Sequence, residues 1–383
     1  MNDVRAIDIR LLGKKRTGDE AVFFNLTKEI LASDKKHQYL LLTDEQDQQK
    51  LAVIQGRLGC IGQGNVRFVP LAGKNRFIWN LVTLPWFLIR NQVDTYHTQY
   101  ILPFFVPSRT KILLHIHDVS FRVYPELIGW KDQLFLSLLI PRSLRRADLV
   151  LTPSQFTKDE IVRHYGAAAS KIAVIPNAVS SEFLTEAQSD VMALRKKYHL
   201  PERFILYVGT LQPRKNIPFL IESFGILKKR VPNVSLVLIG NRSGHHFDPA
   251  VDHTVSALGL EKDVFFPGYV DQQDLPGVMQ MADVFAFPSL YEGFGIPILE
   301  AMSQKVPVAA SDIPCLREVA LDAASYFDPA SVASCEENLY TLLTDDRRRE
   351  DAISRGMSRF SLFSWRRSAE ILLSLYEKQE FTS

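Results

Sequence analysis

A chain of 383 residues with 46% hydrophobic content is long enough to bury two ordinary cores, so two domains are expected. Its formal net charge of +2 at pH 7 excludes the strongly basic balance of a nucleic-acid binder and gives no sign of an acidic partner. Three cysteines, Cys60, Cys315 and Cys335, stand far apart without a C-x-x-C pair, which excludes a disulfide framework or a cysteine zinc site and fits a reducing compartment, the cytoplasm by default.

The opening residues, MNDVRAIDIRLLGKK, lack the basic-then-apolar order of a signal peptide and read as a strand running into a loop. From there, β-branched apolar runs alternate with longer stretches of helical period, the pattern of a parallel sheet covered on both faces. Strands are expected near Val4–Leu11, Gln38–Thr43, Val66–Pro70, Val93–His97, Lys111–His117, Asp148–Thr152 and Lys171–Ile175. Helices such as Asp19–Ala32 and Ser154–Tyr165 fall between them, the second opened by a serine able to cap free amides. The most apolar segment, Phe77 to Ile89, is interrupted by Asn80 and Pro85 and falls short of the roughly 20 residues that cross a bilayer. Near Lys74, Arg76 and Arg90 it reads either as a core-facing helix or as one lying on a membrane surface.

The stretch 175–190, with its prolines and serines, is the expected linker. The pattern then restarts, with short strands expected at 204–209, 234–240, 264–270, 283–289, 306–311 and 324–329. Two doubly wound domains imply a central cleft, and ligands of open parallel sheets bind beyond the carboxyl ends of the strands. The chemistry is therefore sought in the loops that follow strands.

Three such loops carry it. YEGFGIPILEAM (291–302) follows a strand and leads into a helix expected to start near residue 296. Gly293 and Gly295 permit positive φ and Pro297 suits a first helical turn. Glu292 in the loop and Glu300 in the first turns could then accept hydrogen bonds from one hydroxyl-rich ligand; the bland alternative is a helix-dipole acid and a solvated loop residue. In GTLQPRKNIPFLIESF (209–224), Gly209 ends a strand and Arg214 and Lys215 precede a helix. These cations either hold a diphosphate, neutralising a leaving phosphate without a metal, or are ordinary exposed loop residues. The D-x-D spacing of many metal-dependent sugar transferases is absent from the chain, and no metal site is expected. LLHIHDVSF (113–121) ends in His115, His117 and Asp118. It reads as a polar substrate contact from His117 with His115 partly buried behind it, or as an H-x-H metal pair that lacks further ligands.

Together these segments, with LLGKKRTGDEAVFFNL (11–26), LTPSQFTKDEIVRHYG (151–166), KIAVIPNAV (171–179), PVAASDIPCLREV (307–319) and the longer run 267–302, resemble the family-4 retaining glycosyltransferases of GT-B fold. Seven residues separate Glu292 from Glu300, matching that family's E-x7-E signature. The resemblance implies an α/β fold of two Rossmann-like domains, with an acceptor-side domain over 1–180 completed by the helix of 363–383 and a nucleotide-sugar-binding domain over 181–362. It implies Glu292 on donor hexose hydroxyls, Glu300 on the ribose, and amides around Gly293, Phe294 and Gly295 near the sugar. Arg214 and Lys215 fall on the diphosphate beside Gly209, His117 near the reacting face of the sugar, and the loop around Gly18 toward donor phosphate and acceptor.

The expected activity is hexosyl transfer with retention from a nucleotide diphosphate sugar to a hydroxyl acceptor, whether glycan, lipid-linked or small molecule. Neither a cofactor nor a nucleic-acid partner is called for, and peripheral contact with the inner face of a membrane is allowed. Two alternatives stay open: another GT-B enzyme, an epimerase or phosphorylase, and a non-catalytic nucleotide-sugar-binding module.

Overall fold

The structure is a computed structural model that describes residues 3–14, 18–73, 76–127, 129–185, 190–242 and 247–380. It divides into two compact units, residues 1–177 with 364–383, and residues 178–363. The division falls inside the proline-bearing stretch that reads as a linker.

The first unit is built on seven strands: β1 (Val4–Asp8), β2 (Gln38–Thr43), β3 (Val66–Pro70), β4 (Thr95–Gln99), β5 (Lys111–His115), β6 (Leu149–Thr152) and β7 (Ile172–Val174). Their order is β3-β2-β1-β4-β5-β6-β7, and every pairing is parallel. The second unit holds β8 (Phe204–Val208), β9 (Ser235–Ile239), β10 (Val264–Gly268), β11 (Val284–Phe287), β12 (Val308–Ser311) and β13 (Ser325–Phe327). Their order is β10-β9-β8-β11-β12-β13, again all parallel. Inner strands such as β6 (LVLT) and β11 (VFAF) are buried at every position and nearly all apolar, which is what covering helices require.

In each unit the strand order reverses at one place, between β1 and β4 in the first and between β8 and β11 in the second. There successive connections leave toward opposite sides, and the loops after the two strands open a crevice. Both loops singled out in the second half of the sequence, the one after β8 and the one after β11, stand at this reversal.

Every expected strand exists, but several end early. Strand β1 stops at Asp8, not Leu11, because the Asp8 carboxylate takes the Arg10 backbone N–H at 3.2 Å and its guanidinium at 2.6–3.1 Å, turning the chain. Strand β5 stops at His115. Beyond it the Asp118 carboxylate accepts from the Ser120 N–H at 2.9 Å and so opens the next short helix. In the first unit the final helix, Trp365–Glu380, packs on the helix Gly18–Ser33. It is anchored by Ser368 Oγ donating to the Pro176 carbonyl at 2.5 Å and by a buried Trp365.

Candidate active site

In the second unit, the loop after β8 tightens into a short 3-10 turn, Pro213–Lys215, and the helix Ile217–Arg230 follows with Pro218 in its first turn. Asn216 between them takes φ of 56°, a left-handed conformation that asparagine tolerates better than most residues. The loop after β11 ends at Gly295, whose φ is 95°, and the helix Ile296–Ser303 follows with Pro297 at its start. A Cβ at Gly295 would stand 2.8 Å from Leu316 Cδ2, so both conformation and space demand glycine there. Gly293 does not share the requirement: its φ is not positive, and the freedom attributed to it from sequence is not used. At Gly209 an added Cβ would lie 2.6 Å from the Tyr207 hydroxyl, so the backbone after β8 passes close to that buried ring.

The two loops are tied together by charge. The Leu290 N–H donates to the Arg214 carbonyl at 3.0 Å, and Arg214 Nη1 donates to the Tyr291 carbonyl at 2.6 Å and to Glu292 Oε2 at 3.3 Å. Lys215 Nζ is bonded to Glu292 Oε1 and lies 5.5 Å from the centre of the Phe287 ring. Lys215 and Glu292 are both buried, so neither is an ordinary solvated loop residue. Burial alone would raise the Glu292 carboxyl, but Lys215 and then Arg214 outweigh it and hold its pKa below the ordinary glutamate value. Two cations and one carboxylate leave an excess positive charge at a strand-order reversal, a setting that accepts a polyanion. Glu300, fifth residue of its helix, is buried as well. Phe294 is buried against the Phe363 ring, centroids 5.6 Å apart; it packs the core under the loop while its backbone stays in the turn.

The first unit holds a different kind of cluster. The rings of His115 and His117 stack at 4.4 Å and those of His97 and His115 at 6.2 Å, making a column flanked by Phe23, whose ring centre is 5.2–6.0 Å from all three. Although β5 ends at His115, His117 keeps the two-residue alternation that puts both rings on one side. His115 is wholly buried rather than partly so. Burial, then the neighbouring histidines, pushes its pKa well below the ordinary value, and burial pushes His97 down to about 3. Both rings are therefore neutral at pH 7.

His117 Nε2 lies 3.0 Å from Gln99 Oε1 and 4.0 Å from an Asp19 oxygen. An amide oxygen only accepts, so Nε2 is the donor. His117 Nδ1 is buried without a hydrogen-bond partner among the described residues. Gly18 is the first residue of the helix Gly18–Ser33 rather than part of a loop, and residues 15–17 before it lie outside the described residues. Among the described residues no three His, Cys, Asp or Glu side chains converge as a metal site.

Sequence reasoning missed Gln99, Phe23 and Tyr376, whose hydroxyl lies 3.1 Å from His97 Nδ1. Only Gln99 left a trace: it is a polar residue at the carboxyl end of β4, one of the two strands at the reversal.

Solved structures place this architecture. Sucrose-phosphate synthase from Thermosynechococcus elongatus is similar with a TM-score of 0.76 at 19% identity, over 100% of both chains. Anabaena HepE, in complex with UDP and glucose, is similar with a TM-score of 0.74 at 17% identity, over 98% of this chain and 100% of that one. The fold is that of the GT-B glycosyltransferases, two parallel-sheet α/β domains.

Sequence comparison is more specific. The model described as glycosyltransferase family 4 matches residues 17–183, and that of glycosyl transferases group 1 matches residues 192–359. O-antigen chain mannosyltransferase B of Escherichia coli is 33% identical over 280 residues, 72% of each chain. O-antigen chain mannosyltransferase RfbU of Salmonella typhimurium is 29% identical over 68% of this chain and 66% of its own. The match to the E. coli serotype-specific mannosyltransferase WbdA, at 27% identity, spans 60% of this chain and 28% of that longer protein. The chain belongs to glycosyltransferase family 4, and its activity is glycosyl transfer from a nucleotide sugar.

Proposed function

We propose that the protein is a retaining hexosyltransferase that needs no divalent ion and extends a glycan, with mannose the first donor sugar to test because several relatives are named mannosyltransferases. The observation that carries this reading is the Lys215–Glu292–Arg214 cluster, a buried lysine and a half-buried arginine on one buried carboxylate where the strand order of the second unit reverses.

In this reading Arg214 and Lys215 bind the donor diphosphate and stabilise the negative charge that grows on it as the bond from the anomeric carbon to the phosphate oxygen breaks. Glu292 orients the two cations and accepts from sugar hydroxyls; Glu300 accepts from the ribose, and amides at Gly293 and Gly295 approach the sugar. The acceptor oxygen forms its bond on the face the phosphate leaves, and its proton passes to the departing phosphate oxygen. No side chain need serve as nucleophile. His117, steadied by Gln99, hydrogen-bonds the reacting sugar. The acceptor is a lipid-linked glycan met at a bilayer surface.

The test is calorimetric binding of UDP-, GDP-, ADP- and dTDP-sugars with and without chelator, followed by proton NMR of the anomeric configuration in the product. Chelator-insensitive binding and a retained configuration are expected. Loss of binding on chelation overturns the metal-free reading, and an inverted product overturns retention.

A further inference from the structure

Among the described residues, twenty large apolar side chains are exposed, and ten of them lie in three segments of the first unit. The first is the continuous helical run Arg76–Ile78, Trp79–Thr83 and Leu84–Arg90. It turns Trp79 and Phe87 inward and leaves Phe77, Leu81, Val82, Trp86 and Ile89 in water at 50–61% exposure. Phe104 and Phe105, after β4, are 64% and 54% exposed. Leu134 and Leu138, one turn apart on the helix Trp130–Arg146, are 55% and 65% exposed.

Contacts join these segments into one surface. The Phe104 N–H donates to the Asn80 carbonyl at 2.9 Å, the Phe77 and Phe135 rings meet at 6.2 Å, and Arg142 reaches across to the Pro103 and Phe104 carbonyls.

The charge on the same segments is one-sided. Residues 76–90, 100–111 and 130–146 carry eight Lys and Arg against a single acid, Asp132, in a chain whose net charge is +2. Arg90 lies over the Trp86 ring at 4.7 Å, Arg109 donates to the Ile89 carbonyl at 2.9 Å and Arg142 lies over the Phe104 ring at 5.1 Å. None of these three makes an ion pair among the described residues. Arg90 and Arg142 lie against aromatic faces, and all three guanidiniums keep a charge with no acid bonded to it among the described residues.

We infer that this surface docks the protein on a bilayer with anionic headgroups: aromatic and aliphatic side chains enter the interfacial layer while arginines meet lipid phosphates. This deepens the membrane part of the proposed function by naming the surface. Charge complementarity decides the occupant. A second copy laid face to face would set cation against cation, and an uncharged bilayer would leave the arginines unanswered. No helix among the described residues is long and apolar enough to cross a membrane, so the contact is one of lying on the surface.

The test is flotation of the full chain with phosphatidylcholine vesicles containing increasing phosphatidylglycerol, without donor or acceptor, so that its result does not depend on the transfer reading. Binding should rise steeply with the anionic fraction and fall with salt. The pair Trp86→Ser and Phe105→Ser, both at exposed positions, should weaken partitioning by about tenfold or more. Arg90→Gln should weaken it by about fivefold on anionic vesicles and little on neutral ones. Melting temperature and transfer to a soluble acceptor should be unchanged in these variants. Equal binding to neutral and anionic vesicles, no binding to either, or a self-association lost in the serine pair by sedimentation velocity would each overturn the inference.

Discussion

The two polar clusters show opposite ways of burying hydrophilic groups. In the C-terminal unit Glu292 is buried ionised, because Lys215 and Arg214 supply opposite charge at its own oxygens. In the N-terminal unit His97 and His115 are buried neutral, stacked on other rings, with the His115 ring making no hydrogen bond among the described residues. A buried charge is tolerated only with a partner, whereas a neutral imidazole can be buried at the smaller cost of its hydrogen bonds. The first arrangement is held by charge, the second by shape and stacking.

The largest expected effect comes from stripping the cations. Arg214→Ala with Lys215→Ala should lower turnover by about 10²–10³ or more, as loss of a preorganised charge on a leaving group does; near-wild-type transfer refutes the assignment. The same variant should reverse a pH dependence. In the wild type the Glu292 pKa is depressed, so its contribution to stability is present above the ordinary glutamate value of about 4.3 and lost as pH falls through the folded value. Without the cations the Ser289 hydroxyl is left to oppose desolvation, so the folded pKa should rise; stability is then present at low pH and lost as pH increases. Melting temperatures from pH 4 to 7 decide it, and adding Glu292→Gln should abolish the reversal.

The neutral column should respond to acid differently. His97 and His115 take protons readily in the unfolded chain but resist them when folded, so stability falls as pH drops from 6.5 toward about 3, the folded value for His97. The slope is about 1.4 kcal/mol per pH unit for each histidine. Urea unfolding at several pH values, followed by a probe in the N-terminal unit, should show this loss, and His97→Gln should flatten it. A slope unchanged by that substitution would mean the ring is protonated in the folded state. Smaller again, Gln99→Leu should lower kcat/KM by about five- to tenfold, the worth of one hydrogen bond that fixes the His117 ring. Its melting temperature should change little, and a Tm loss as large as the kinetic one would make Gln99 a packing residue.

The fold was legible because both sheets are parallel and buried on two faces: runs such as VFAF in β11 have no solvent side, and their shortness and their alternation with longer helical stretches mark them as core strands. The helix start at Ile296 was legible from Pro297 and Gly295, whose backbone demands are local. Strand ends were less so, because β1 stops where the Asp8 side chain captures Arg10, an event of side-chain geometry rather than periodicity. The ion pairs of Glu292 were not legible. They bridge residues 77 and 78 positions apart, and in sequence the carboxylate and the cations read as separate groups facing a ligand, not each other. Nor was the histidine column, since His97 and His115 come together only because β4 and β5 are neighbours in the sheet.

Tyr376→Phe is the mildest change and the most discriminating for the column. The Tyr376 hydroxyl shares a hydrogen bond with His97 Nδ1 at 3.1 Å, while its ring carries the Arg5 guanidinium at 4.6 Å. Phenylalanine keeps the ring and its cation, so only the hydroxyl contact is lost. That deletion should cost about 1 kcal/mol, an ordinary buried hydrogen bond, and lower the melting temperature of a unit of this size by about 2–4 °C. If the column only fills the core, kcat/KM should stay at the wild-type value. Should it fall by more than the stability change can explain, then the Tyr376–His97–His115 stack sets the orientation of His117, and the C-terminal helix helps to hold a residue of the active site.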